Sequence, residues 1–104
     1  MLGLREVYGA AVAASAGEAA AAEVTQHVMV TGRGKDTRSL VARTVLRAMR
    51  TAPHAAFAPM PEPEREVIAL ARLAGYSVDE IADLLGIPAA EARARMTRGL
   101  RALR

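Results

Sequence analysis

Four of the chain's five prolines fall in one short run, Thr51-Ala52-Pro53-His54-Ala55-Ala56-Phe57-Ala58-Pro59-Met60-Pro61-Glu62-Pro63. Proline has no backbone donor to give and pushes the residue before it toward extended conformations, so no continuous helix passes through this segment. The chain is thereby divided into residues 1–51, a proline-rich linker over 52–62, and residues 63–104. The sequence on either side is rich in alanine and leucine, both strong helix formers, and holds one Phe, two Tyr and no Trp. The expected class is therefore all-α, with two small helical units. Alanine brings little apolar area, so a chain of 104 residues built this way has a thin core.

In the first unit, Leu4, Val7, Tyr8, Ala11 and Val12 keep helical spacing and predict a short helix ending near Gly17. A second helix is expected from about Glu18 to Val30, with Ala20, Ala21, Val24 and Val28 on one face. The loop Thr31-Gly32-Arg33-Gly34-Lys35-Asp36 breaks it, and a third helix fits Thr37 to Arg50, with Leu40, Val41, Val45, Ala48 and Met49 inward. Three such helices need further surface to pack on: the second unit, another copy or a partner.

The second unit carries clearer punctuation. Pro63 suits the first turn of a helix, where Glu62, Glu64 and Glu66 meet its positive end, and Val67, Ile68, Leu70, Ala71 and Ala74 form an apolar face before Gly75. Ser77-Val78-Asp79-Glu80 reads as a capping box opening a helix that buries Val78, Ile81, Ala82 and Leu85 and stops at Gly86. Ile87-Pro88 opens a last helix whose buried side is expected at Ala92, Met96, Leu100 and Leu103. A short helix, a glycine turn and a second helix carrying exposed arginines make a helix-turn-helix, so the second unit is expected to be a three-helix domain of that kind.

Charge is unevenly spread although the net value is only +3. Glu62, Glu64, Glu66, Asp79, Glu80 and Asp83 cluster against two arginines, whereas the final stretch has Arg93, Arg95, Arg98, Arg101 and Arg104 against Glu91 alone. A second basic run, Arg33, Lys35, Arg38, Arg43, Arg47 and Arg50, holds only Asp36 as an acid. Segregation of this kind suits a polyanionic partner. Cysteine is absent, which excludes disulfides and thiolate metal sites, and no run of apolar residues reaches membrane length. The amino-terminal residues lack the apolar stretch of a signal peptide, so a cytoplasmic location is expected. His27 and His54 have no ligand pairs beside them, no nucleophile neighbours a base, and Gly32-Arg33-Gly34-Lys35 lacks the spacing and preceding strand of a phosphate loop. No catalytic residue, metal site or cofactor is expected, and an enzyme is not.

Pro63-Glu64-Arg65-Glu66-Val67-Ile68-Ala69-Leu70, followed by Gly75-Tyr76-Ser77-Val78-Asp79-Glu80-Ile81-Ala82-Asp83-Leu84-Leu85-Gly86-Ile87-Pro88, closely resembles the carboxy-terminal domain of bacterial sigma factors of the extracytoplasmic-function type. The resemblance implies contact with a −35-like promoter element and with the core of RNA polymerase. Ala21-Ala22-Glu23-Val24-Thr25-Gln26-His27-Val28-Met29 resembles, in reduced form, the helix with which that family grips the polymerase clamp, and implies a polymerase-binding role for Glu23 and Gln26. The family's next helix carries aromatic residues that open the −10 element. Between Tyr8 and Tyr76 this chain has only Phe57, and stacking a flipped base needs a flat π face. The last helix departs too: Ala89-Ala90-Glu91-Ala92 stands where the family has a small residue, Thr or Ser, and Val.

If the last helix enters the major groove, Ala90, Glu91 and Ala94 near its start are placed for base edges. Arg93, Arg95 and Arg98 suit phosphates or a guanine, and Arg101 and Arg104 phosphate only. Two functions follow. One is a minimal sigma-like transcription factor that brings polymerase to duplex DNA. The other is a sigma-derived interaction module that binds polymerase, a second sigma-like subunit or another copy of itself as a homo-oligomer, without specific DNA binding.

Overall fold

The computed structural model describes residues 3–103 and contains six helices, with no strand among the described residues. They are α1 (Leu4–Ala14), α2 (Glu18–Thr31), α3 (Thr37–Thr51), α4 (Glu62–Leu73), α5 (Val78–Leu85) and α6 (Ala89–Ala102). The first three pack on one another through Val7, Ala11 and Ala14 of α1, Ala21, Val24 and Val28 of α2, and Leu40, Val45, Ala48 and Met49 of α3. Alanine supplies many of these buried positions, Ala11, Ala14, Ala21 and Ala48 among them. Two threonines share it because each hydroxyl donates to a carbonyl one turn back, Thr25 to Ala21 O at 2.8 Å and Thr44 to Leu40 O at 2.7 Å. The apolar stripe of α1 is split: Leu4, Tyr8 and Val12 are exposed.

α4 joins the two halves. It packs on α1 and α3 on one side and on α5 and α6 on the other, and its Val67, Ile68, Ala69 and Leu70 are buried in one continuous core. The prolines keep the segment between α3 and α4 out of helix, yet it does not hold the halves apart. His54 N–H donates to Ala14 O at 2.7 Å and Ala16 N–H to Ala52 O at 2.8 Å, tying the segment to the α1–α2 turn. Phe57 and Met60 then insert into the core. The extra surface that the three amino-terminal helices need is thus supplied by the second half of the same chain. The molecule measures 37 × 26 × 17 Å along its principal axes.

Polar contacts reinforce the junction. Arg65 donates to Met49 O at 2.7 Å and Met60 O at 2.9 Å, holding the end of α3 and the proline segment to the start of α4. Arg50 Nε donates to Glu66 at 2.6 Å. Arg38 bridges to the start of α5, 2.9 Å from Glu80, with its guanidinium 3.9 Å from the centre of the Tyr76 ring. Glu64 and Glu66, expected at the positive end of α4, are both buried. A buried carboxylate is retained only when paired, and each has an arginine from another helix.

Candidate nucleic-acid interface

The turn between α5 and α6 is built by local chemistry. Ser77 accepts from Glu80 N–H at 3.1 Å while Glu80 accepts from Ser77 N–H at 2.9 Å, the reciprocal capping box expected from the sequence. The backbone donor at Ser77, followed by Arg38, holds the Glu80 carboxyl down at about 2. α5 stops at Gly86, whose φ of 68° and ψ of 35° lie in the left-handed region that glycine enters without strain. Ile87 N–H closes the turn on Ala82 O at 3.0 Å, and extended Pro88 starts α6.

α6 is rotated relative to the sequence expectation. Ala92 and Gly99 are its buried residues and Met96 packs against the core, but Leu100 and Leu103 are 40% and 36% exposed. The cause is the contact of Gly99 with α4. A Cβ there would lie 2.5 Å from Ile68 Cγ1, so only glycine lets the two helices approach this closely. The contact turns the Ala92–Gly99 line inward and carries Leu100 out of the core, while Leu103 follows the last residue of α6.

This rotation decides what α6 presents. At about 100° per residue the face opposite Ala92 and Gly99 carries Ala90, Ala94, Thr97 and Arg101, with Arg93 on its flank. Ala90, Arg93, Thr97 and Arg101 are exposed and Ala94 is half-buried. Thr97, whose hydroxyl donates to Arg93 O at 3.0 Å, did not emerge from the sequence. It sits three residues beyond Ala94 and became visible only once the buried line was fixed.

The remaining arginines are held by carboxylates. Arg95 Nε donates to Glu91 at 3.1 Å; Arg98 Nε donates to buried Glu64 at 2.9 Å and its Nη2 to Glu91 at 3.3 Å. The bond to Glu64 raises Arg98 above its usual pKa, and Arg95, then Arg98, lowers Glu91 below the ordinary carboxylate value. Of the four arginines expected on this face, Arg93 and Arg101 make no ion pair among the described residues. Arg104 lies outside the described residues. Glu23 and Gln26 are both exposed on α2, which makes no contact with α6; Glu23 stands 3.7 Å from Arg47.

A capped short helix, a left-handed glycine turn and a second helix with a polar outer face make a helix-turn-helix. Residues 54–103, which span this unit, match the family described as Sigma-70, region 4. This half of the chain is similar to region 4 of sigma-70. The match begins within the proline segment, so the matched stretch takes in Phe57 and Met60, which seat it on the first three helices. Comparison with curated proteins and with solved structures returned no match. Region 4 belongs to the DNA-binding machinery of transcription initiation, and no helix among the described residues is long and apolar enough to cross a membrane.

Proposed function

We propose that this chain is a minimal bacterial transcription-initiation factor of the extracytoplasmic-function sigma type, working in the cytoplasm. In this reading α6 lies in the major groove of a −35-like duplex element. Ala90, Ala94 and Thr97 face base edges, Arg93 and Arg101 meet phosphates, and Glu91 is positioned by Arg95 and Arg98 to accept from a base amine. The single observation that carries the reading is the outer face of α6, in a segment that matches region 4. Glu23 and Gln26, exposed on α2, are assigned to the polymerase core.

A specific observation favours a second reading. Glu91 and Glu64 pair with Arg95 and Arg98, which leaves Arg93 and Arg101 as the arginines of α6 without an ion pair among the described residues. A module that binds polymerase, a second sigma-like subunit or another copy of itself, without specific DNA contact, has no use for free arginines there.

Binding of the full chain to duplex DNA and to core RNA polymerase, each at low and moderate salt, separates the two. Duplex binding that weakens steeply with salt and is lost in an Arg93→Ala/Arg101→Ala double variant supports the initiation factor, because neutralised phosphates release counterions. Tight, salt-indifferent binding to polymerase or to itself, with no duplex binding, overturns it in favour of the module.

A further inference from the structure

Away from α6 the basic residues of α3 form a second feature. Arg43, Arg47 and Arg50 follow one another at i, i+4 and i+7 and so share one face of the helix. They line an open cleft of about 410 Å³ beside α2 and α3, to which Leu84 of α5 also contributes. His27 adds a ring nitrogen at the rim, and Val28, Leu46 and Leu84 supply apolar wall.

The three guanidinium groups are unequally engaged. Arg50 is bound to Glu66 at 2.6 Å. Arg47 has only a long contact, 3.7 Å, to Glu23, and its buried Nε has no acceptor in the protein. Arg43 is exposed and makes no ion pair among the described residues. Two under-used guanidinium groups one helical turn apart, in a concave site with a partly apolar lining, have the anatomy of a small-ligand site for adjacent anionic groups. The lining holds no Phe, Tyr or Trp, and its one ring, the His27 imidazole, offers a single stacking surface, which argues against a run of stacked single-strand bases.

We infer that this cleft binds a small diphosphate-bearing molecule, its phosphates on Arg43 and Arg47 and an apolar portion against Leu46 and Leu84. The site is separate from the outer face of α6 and independent of the function proposed for it.

Calorimetric titration of the full chain with inorganic pyrophosphate, and then with adenosine diphosphate, at matched ionic strength, tests this. Expected are saturable binding of both, tighter for adenosine diphosphate, and at least about tenfold weakening in Arg43→Ala, as for loss of a charge-assisted hydrogen bond. Arg43 touches no other element's carboxylate, so this variant should melt at the wild-type temperature. Arg93→Ala/Arg101→Ala should bind both probes as the wild type does. The inference is overturned by absence of saturable binding, by full retention of binding in Arg43→Ala, or by adenosine diphosphate binding no tighter than pyrophosphate. Displacement of pyrophosphate by random-sequence duplex DNA, with the same dependence on Arg43, would also overturn it, by assigning the cleft to DNA phosphates.

Discussion

Removing Glu91 should strengthen non-specific duplex binding and steepen its salt dependence. In the wild type only Arg93 and Arg101 of α6 are without a carboxylate partner among the described residues. Two phosphate contacts give a log–log salt slope of about −1.8, so affinity should fall about twelvefold between roughly 50 and 200 mM salt. Glu91→Ala releases Arg95 outright, whereas Arg98 keeps its bond to Glu64 at 2.9 Å. A third phosphate contact takes the slope to about −2.7 and the fall to about fortyfold over the same range. Release of Arg98 as well would take it to about −3.6. Fluorescence anisotropy of a labelled random-sequence duplex over a salt series measures the slope directly. An unchanged slope would refute the argument that Glu91 masks the recognition helix. Lost discrimination at one base pair of a defined site in the same variant would add that Glu91 also reads a base amine, as the proposed function has it.

Gly99→Ala should destabilise the chain by about 1 kcal/mol, overpacking against Ile68 outweighing the helix-propensity gain of alanine. Chemical denaturation of Gly99→Ala, Ile68→Ala and the double variant should show the two costs to be less than additive, and strict additivity would argue against the contact. Phe57→Ala should cost about 3 kcal/mol as a buried aromatic lost from the core, with both halves still unfolding in one transition; two separate transitions would contradict a shared core. Glu80 titrates at about 2 in the folded chain against an ordinary 4.5, so its contribution to stability is complete above about pH 5 and disappears as pH falls toward 2. Glu80→Gln should therefore flatten the acid limb of a melting-temperature profile between those values, and an unaltered limb would contradict the assignment.

The punctuation of α4, α5 and α6 was legible because it is local. Pro63 near the helix start, the Ser77–Glu80 box, Gly86 and Pro88 act on backbone within a few residues of themselves, and the structure uses each as its chemistry requires. The pairing of Glu91 with Arg95 was also present in the spacing, four residues apart on one helix. The orientation of α6 was not, because Leu100 and Leu103 have every intrinsic reason to be buried. Leu100 is displaced by an approach of Gly99 to Ile68 that only the folded chain contains, and Leu103 lies past the end of α6. The same holds for Glu64, whose partner Arg98 is 34 residues away, and for the proline segment. Its composition signals extended chain, while Phe57 and Met60, two apolar residues among small ones, carry the signal that it docks.

The continuous core through α4 has a consequence for reach. Because α1 and α3 hold one side of α4 while α5 and α6 hold the other, the chain behaves as a single block whose greatest dimension is 37 Å. One turn of duplex rises about 35 Å. On the proposed function, the footprint of one copy is thus a single helical turn, read from one side.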